Sequence, residues 1–246
     1  IHSGIEIKDS SSKLILKRVV FSKMKGLSSV GGDNYGSALN IHTNSIVDIH
    51  SVSIMVSSSK YGGALSIRGS STLNICGLSL FNNHASVSGG AMYIDSSTIN
   101  MINACVMITN VENNRATSYG GGMYITGTST LNSNALLNIT KNIASLGGGG
   151  IAVMGNNHNV NINGNSLSVV GNEASKSVDQ GESIYENGGG IFVQGVNGDS
   201  TWNDVVLSNN IGGHGGNMMI NMGAKVAITN MLVEKGTAHA SGGGLY

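Results

Sequence analysis

A short motif containing a Gly-Gly pair returns along the chain, and it constrains the fold more than any other feature. Two clear copies are Ser88-Gly89-Gly90-Ala91-Met92-Tyr93-Ile94 and Tyr61-Gly62-Gly63-Ala64-Leu65-Ser66-Ile67. The first apolar residues of the eight copies are Leu39, Leu65, Met92, Met123, Ile151, Ile191, Met218 and Leu245. Most of the intervals between them are 26 to 31 residues long, and one is 40. Self-similarity with this period is typical of a solenoid, in which each repeat forms one coil.

The pattern within one coil indicates strands. Residues 64–67, 71–76 and 78–81 alternate apolar and polar side chains, whereas residues 82–84 end the last run and 85–88 read as a loop. We therefore predict an all-β fold, a parallel β-helix or β-solenoid, with about 27 residues and three short strands per coil and seven to eight coils. The crossover rule for parallel strands favours a right-handed helix.

Two further patterns recur in the same order. Ser-Thr-apolar-Asn occupies 71–74, 97–100, 129–132 and 200–203, and 158–161 is a weaker copy. An apolar residue followed by Asn three positions later ends the third predicted strand of several coils: Val111 and Asn114, Ile139 and Asn142, Val169 and Asn172, Leu207 and Asn210. Asn tolerates left-handed backbone, and its side chains can form ladders with the coils above and below.

The repeats predict one domain over residues 1–246. The long coil between Ile151 and Ile191 contains a surface excursion over about residues 175–187, and the coil from Met92 to Met123 has extra residues near 101–106. The chain begins with Ile1 and ends within a repeat, so we expect it to be part of a longer protein.

The composition gives no support to several classes of partner. The formal net charge is zero and only 11% of the residues are charged, so there is no electrostatic argument for binding nucleic acid. No apolar run has the length of a membrane span. The 37 glycines occur without any proline, which is not collagen-like. Six basic residues lie between Lys8 and Lys25, alternating with apolar ones, and read as a solvated face.

Catalytic and metal-binding chemistry has little support in the sequence. Gly213-His214-Gly215 resembles the Gly-His-Gly of pectin-hydrolysing β-helices, but these enzymes also need several adjacent aspartates, and only Asp199 and Asp204 are near in the sequence. The densest acidic cluster matches no calcium-binding spacing and reads as a solvated loop: Asp179, Glu182 and Glu186. We therefore expect a protein that is not an enzyme and has no catalytic, metal or cofactor site.

The outward position of the first strand is often aromatic or apolar. If the coils stack in register, a ridge on the outside of the rod is formed by Tyr93, Tyr124, Phe192, Met219 and Tyr246. An exposed apolar stripe of this kind often binds a partner protein or a glycan. The alternative is that a neighbouring segment covers the ridge.

A second, polar stripe follows the Ser-Thr-apolar-Asn motif. Its threonines are Thr72, Thr98, Thr130 and Thr201, and its asparagines are Asn74, Asn100, Asn132, Asn161 and Asn203. A flat polar array on a β-solenoid resembles an ice-binding surface, although those surfaces prefer Thr at both outward positions. The alternative is a set of stabilising ladders on a solvated sheet.

Two covalent modifications are compatible with the sequence. Cys76 and Cys105 are about one coil apart, so they could lie on adjacent coils within disulfide range, or they could be two buried small residues. Asn138-Ile139-Thr140 is an N-glycosylation sequon, which has meaning only in a secreted eukaryotic protein.

The motif Gly-Gly-Ala-apolar, carried best by 62–65 and 89–92, resembles the repeats of chlamydial polymorphic outer membrane proteins over residues 35–246. The Phe-x-x-Asn element of that family is present only in modified form, since Phe81 is followed by His84 three positions later. The resemblance implies a secreted, surface-displayed, non-enzymatic adhesion or coat module.

We therefore expect an extracellular or cell-surface β-helix that belongs to an adhesin, a coat or a filament. Its partners would be other copies of the chain, by end-to-end or lateral assembly, or a host or glycan surface. A carbohydrate-binding or polysaccharide-degrading β-helix and an ice-binding solenoid remain as alternatives.

Overall fold

The computed structural model describes residues 4–9, 12–26, 33–102, 109–155, 161–177, 183–195 and 200–246. Within these ranges the chain consists of strands, turns and irregular segments, with no helix. The first strands are β1 (Ile5–Ile7), β2 (Lys13–Lys17), β3 (Val20–Ser22), β4 (Leu39–Ile41), β5 (Ile46–Met55), β6 (Ser58–Tyr61), β7 (Leu65–Arg68), β8 (Thr72–Phe81) and β9 (His84–Ser88). The next are β10 (Met92–Asp95), β11 (Thr98–Met101), β12 (Thr109–Glu112), β13 (Arg115–Ala116), β14 (Met123–Thr126), β15 (Thr130–Ser133), β16 (Leu137–Thr140), β17 (Ile143–Ala144) and β18 (Ile151–Met154). The last are β19 (Asn161–Val170), β20 (Glu173–Ser177), β21 (Ser183–Tyr185), β22 (Ile191–Gln194), β23 (Ser200–Ser208), β24 (Ile211–His214), β25 (Met218–Asn221), β26 (Val226–Glu234) and β27 (Thr237–Ser241).

These strands form three sheets that run along the length of a parallel β-helix. The first sheet has the order β1-β4-β7-β10-β14-β18-β22-β25. The second contains β2, β3, β5, β8, β11, β12, β15, β16, β19, β23 and β26, and the third has the order β27-β24-β20-β17-β13-β9-β6 with β21 beside β20. Successive coils pair in parallel, as where Met92 lies between Leu65 and Met123. The predicted β-solenoid is therefore confirmed.

The division of a coil into strands differs from the sequence prediction. The second and third predicted strands are one strand, β8, which bends at Gly77 (φ +81°) and remains in the second sheet. The third sheet is formed instead by segments such as β9, where the sequence predicted a loop. Ser and Ala dominate β9, and its apolar alternation is too weak to identify a strand.

The core is a narrow stack of apolar side chains inside the three sheets. Leu65 and Ile67 of β7 point inward and are fully buried, and the matching residue pairs of the neighbouring coils are buried in the same way. Strand alternation places these side chains on one face, and parallel pairing sets each directly beside its equivalent in the next coil. The hydrophobic core is therefore continuous along the rod.

The Gly-Gly corners before the first sheet require glycine for two different reasons. Gly62 has φ +62°, a left-handed conformation that costs other residues free energy. Gly63 has no room for a side chain, because a Cβ atom there would lie 2.1 Å from the Gly90 carbonyl oxygen of the next coil. The motif that defines the repeat thus marks the place where adjacent coils approach most closely.

The predicted excursion from the long coil is a β-hairpin. Strands β20 and β21 pair antiparallel, with Ser175 opposite Tyr185 and Ser177 opposite Ser183. The backbone N–H of Glu186 then donates a hydrogen bond to the Ala174 carbonyl and returns the chain to the solenoid.

Candidate functional site

Half of the predicted aromatic ridge is a stack of tyrosine rings on the first sheet. Tyr93 and Tyr124 lie side by side in register, with ring centroids 5.4 Å apart and nearly parallel planes. Tyr61, from the corner before β7, packs on Tyr93 at 5.2 Å, and Tyr35 stacks on Tyr61 at 5.1 Å. The Arg68 guanidinium lies 3.5 Å from the centroid of the Tyr35 ring, within range of a cation–π interaction. The Tyr35–Tyr61 and Tyr93–Tyr124 rings are stacked, whereas the Tyr61 and Tyr93 planes are tilted by 57°.

The other half of the ridge is not exposed as predicted. Phe192 is 1% exposed and Met219 is 6% exposed, whereas Tyr246 is 56% exposed. Phe192 stacks on Tyr119 two coils away, at 6.1 Å, and a Cβ on Gly147 would lie 3.1 Å from the Phe192 ring. Small residues in the intervening coil thus leave room for the Phe192 ring. The ridge is therefore interrupted, and Tyr119, the corner residue before Gly120, packs against Phe192.

Burial changes the ionisation of the tyrosine stack. Desolvation raises the pKa of the Tyr93 hydroxyl, and the nearby Asp95 carboxylate raises it further. Burial also raises the pKa of the Tyr124 hydroxyl, while a hydrogen bond with Thr126 opposes this shift. Both hydroxyls therefore remain neutral at physiological pH and can act as hydrogen-bond donors.

The polar stripe on the second sheet is a ladder of side-chain amides. Asn132 donates to Asn100, Asn100 donates to Asn74, both at 2.9 Å, and Asn74 donates to Asp48 at 2.7 Å. The hydrogen bond from Asn74 holds the pKa of the Asp48 carboxyl below its usual value, and Lys13, 3.2 Å away, adds to the effect. Thr72, Thr98 and Thr130 form a parallel column in register.

The stripe does not continue as the motif predicted. Asn161 lies beside Thr130 in the threonine column, and the column of Asn132 continues through Asn163 to Thr201. Asn203 lies beside Asn165. The motif copy that contains Asn161 is therefore shifted by two residues where β19 pairs with β15, and the copy in β23 is shifted by two residues relative to β15. The predicted positions of Asn161, Thr201 and Asn203 were wrong for this reason.

The two candidate acid–base residues that the structure describes, His214 and Asp204, lie in different sheets. His214 lies in the third sheet, with its ring centroid 5.1 Å from that of Tyr246, and its Nδ1 atom is buried without a hydrogen-bond partner among the described residues. Asp204 lies in the second sheet and accepts a hydrogen bond from Asn230 at 3.2 Å. Asp199, Asp179 and Glu182 are outside the described residues, which contain no group of three potential metal ligands.

The predicted modification sites lie on the outer surface of the second sheet. Asn138 is half-buried and donates a hydrogen bond to Asn110 at 3.2 Å. Cys76 is half-buried beside His50 and is disulfide-bonded, and Cys105, the only other cysteine of the sequence, lies outside the described residues.

A second asparagine ladder, inside the rod, is the largest feature that the sequence indicated only in part. Its members are all at most 1% exposed: Asn83, Asn114, Asn142, Asn172, Asn210 and Asn217. Asn114 donates both its backbone N–H and its Nδ2 to Asn142 Oδ1, each at 2.9 Å. Its Nδ2 also donates to the Leu80 carbonyl at 3.0 Å. The same set of bonds recurs from coil to coil, so each buried amide group in the middle of the ladder is fully hydrogen-bonded.

The last member of the ladder comes from an unexpected position. Gly236 occupies the position of the ladder asparagine in the earlier coils, and it follows Lys235, whose backbone is left-handed. Asn217, at a corner position that is Ala or Gly in other coils, supplies the Oδ1 that accepts from Asn210 Nδ2 at 2.8 Å. The asparagine at position 217 thus compensates for the glycine at position 236.

No family model, curated protein or solved structure matches this chain. Among the described residues there is also no helix with the length and hydropathy needed to cross a membrane.

Proposed function

We propose that this chain is a non-catalytic, extracellular structural or adhesive β-helix, a segment of a cell-surface adhesin, coat or filament. The observation that carries the proposal is that both asparagine ladders run along the rod axis. Their amides bond to the next coil and do not converge on a ligand. Such ladders resist shear between coils, and this suits a protein whose task is to hold a shape.

The similarity of the Gly-Gly-Ala-apolar corners to chlamydial surface-protein repeats supports the same proposal. In that family the repeats belong to displayed, non-enzymatic modules. The partners would be further copies of this chain or a host or glycan surface. The half-exposed Tyr93 and Tyr124 and the exposed Tyr246 are the parts of the aromatic ridge that remain available for such contact.

A test of the proposal begins with intact cells of the source organism. An antibody against the β-helix should stain cells that have not been permeabilised, and electron microscopy of the native material should show rods or a regular layer at the surface. Staining that appears only after permeabilisation would refute the extracellular assignment.

Glycoside hydrolysis needs two carboxyl groups on either side of the scissile bond. Of the two carboxylates near His214 in the sequence, the structure describes only Asp204, which lies in another sheet than His214. Release of reducing sugar from a polysaccharide panel, lost on His214→Ala, would establish the enzymatic alternative. Thermal hysteresis that disappears on Thr98→Tyr would likewise establish ice binding by the threonine column.

A further inference from the structure

The outer face of the third sheet carries one column of side chains in which a cation and an anion flank an isoleucine. Parallel pairing sets its members in the order Lys25, Ser58, His84, Arg115, Ile143, Glu173, Ile211 and Thr237. Ile143 is the central member of the seven from Ser58 to Thr237. One coil before it is a cation, and one coil after it is an anion. Two coils away on either side are His84 and Ile211, and three coils away are two hydroxyl residues.

The charges of Arg115 and Glu173 have no oppositely charged partner in the described part of the chain. Glu173 accepts a hydrogen bond from the nearby Ser175 hydroxyl. Arg115 lies next to His84, whose pKa is lowered mainly by burial and further by the Arg115 charge. On the second sheet, by contrast, Lys13 pairs with Asp48 and Lys141 with Glu112.

We propose that the third sheet binds the third sheet of a second copy of this chain, with the two rods antiparallel and the twofold axis at Ile143. A twofold interface requires that if one residue contacts another, the reverse contact also forms. About this axis, Arg115 of each chain faces Glu173 of the other, and the two Ile143 side chains meet. His84 faces Ile211, and Ser58 faces Thr237.

The dimensions of the sheet permit these contacts. Adjacent coils are about 4.8 Å apart, so Arg115 and Glu173 each lie about 5 Å along the rod from the axis. Sheets that pack face to face are about 10 Å apart, a distance that an Arg and a Glu side chain span together. One face of this width is smaller than a standard interface, so the contact is expected to be weak for a single pair and to act through repetition in a layer or bundle.

The proposed dimer deepens the proposed function by naming the partner, and the dimer rests on that function only for its biological setting. The two can fail separately. A surface-exposed protein that remains monomeric would overturn the dimer alone, whereas a dimer confined to the cytoplasm would overturn the extracellular assignment alone.

The first experiment is a charge swap followed by sedimentation equilibrium over a range of protein concentrations. The wild-type chain should show a monomer–dimer equilibrium that weakens as salt is added, because the ion pairs are partly exposed. Arg115→Glu and Glu173→Arg should each weaken dimerisation about tenfold or more, and the double variant should restore it. A swap variant that remains as weak as the single variants would overturn the proposal.

The second experiment locates the twofold axis. A residue on the axis lies next to its own copy, so Ile143→Cys should form a covalent dimer on mild oxidation. The matched control is Asn110→Cys, an exposed residue of the neighbouring coil on the second sheet, which should not. Equal cross-linking of both variants would overturn the assigned face. A monomeric wild-type chain that binds heparin through Arg115 would show instead that this surface recognises a polyanion, and would also overturn the proposal.

Discussion

Asn142→Ala tests whether the buried ladder stabilises the rod. Asn142 is fully buried, and its Oδ1 accepts two hydrogen bonds from Asn114, both 2.9 Å long. Its Nδ2 donates to the Val111 carbonyl at 2.9 Å and to Asn172 Oδ1 at 3.0 Å. Truncation leaves two donors of Asn114 and the Val111 carbonyl oxygen without these partners. At about 1–3 kcal/mol for each unsatisfied buried group, the three groups together give an expected loss of about 3–9 kcal/mol of unfolding free energy.

The matched control is Asn138→Ala, which changes the same residue type four residues earlier in the same coil. Asn138 is half-buried and makes one side-chain bond, to Asn110, which water can replace. Its expected cost is below about 1 kcal/mol. Urea unfolding followed by circular dichroism gives the two free energies. Amide hydrogen exchange at Asn114, whose backbone N–H loses its acceptor, gives a local readout even if the coils do not unfold in a single step. Equal costs for the two variants, with unchanged exchange at Asn114, would refute the role of the ladder.

Three further predictions concern other parts of the rod. Val56 is β-branched and 50% exposed, and its backbone is held at φ +54°. Asn82, at the same turn of the next coil, has the same φ, so Val56→Asn should raise the urea midpoint through a gain of about 1 kcal/mol in unfolding free energy. A lower midpoint would contradict this. Asn217→Ala removes the acceptor of Asn210 and should lower the unfolding free energy by about 2 kcal/mol, although Ala is common at this corner. The raised pKa of Tyr93 stabilises the fold below about pH 10, where unfolded tyrosine is neutral, and this contribution is lost as the pH rises further. Melting temperatures measured from pH 8 to 12 should therefore fall at the alkaline end, and less steeply in Tyr93→Phe.

The sequence was sufficient to predict the solenoid because its strongest signals arise at the points of closest packing. Glycine is required where coils approach each other, as at Gly63, and apolar alternation is required where side chains such as Leu65 fill the core. Both requirements repeat in every coil. The third sheet was missed since its strands are short and rich in Ser and Ala, so that backbone pairing, not side-chain pattern, defines them.

The asparagine ladders illustrate a second limit. The spacing of Asn142 from Ile139 was visible in the sequence, but its complete burial was not, because Asn is usually a surface or turn residue. Burial becomes favourable only when the coils on both sides provide partners for the amide. The ladder role of Asn217 could not be predicted from its own repeat, since it depends on Gly236 one coil later, which has no side chain to accept the hydrogen bond.

The shifted register of β23 follows from the same dependence on neighbouring coils. If the Ser-Thr-apolar-Asn copies were aligned, the large Trp202 side chain would lie beside Ile162 and Leu131. The observed register places Trp202 beside Gly164, which itself lies beside Ser133, and Trp202 is 1% exposed. A close-packed interior has room for an indole only where its neighbours are small, so side-chain volume takes precedence over the motif in setting the register. Phe192 follows the same rule on the outer face of the first sheet, where its ring lies over the space left by Gly147, which has no side chain. In a solenoid the space available to each side chain is set by the coils above and below it. Comparison of equivalent positions therefore identifies the repeat. The register between two particular coils depends on the volumes of the side chains that pack against each other between them.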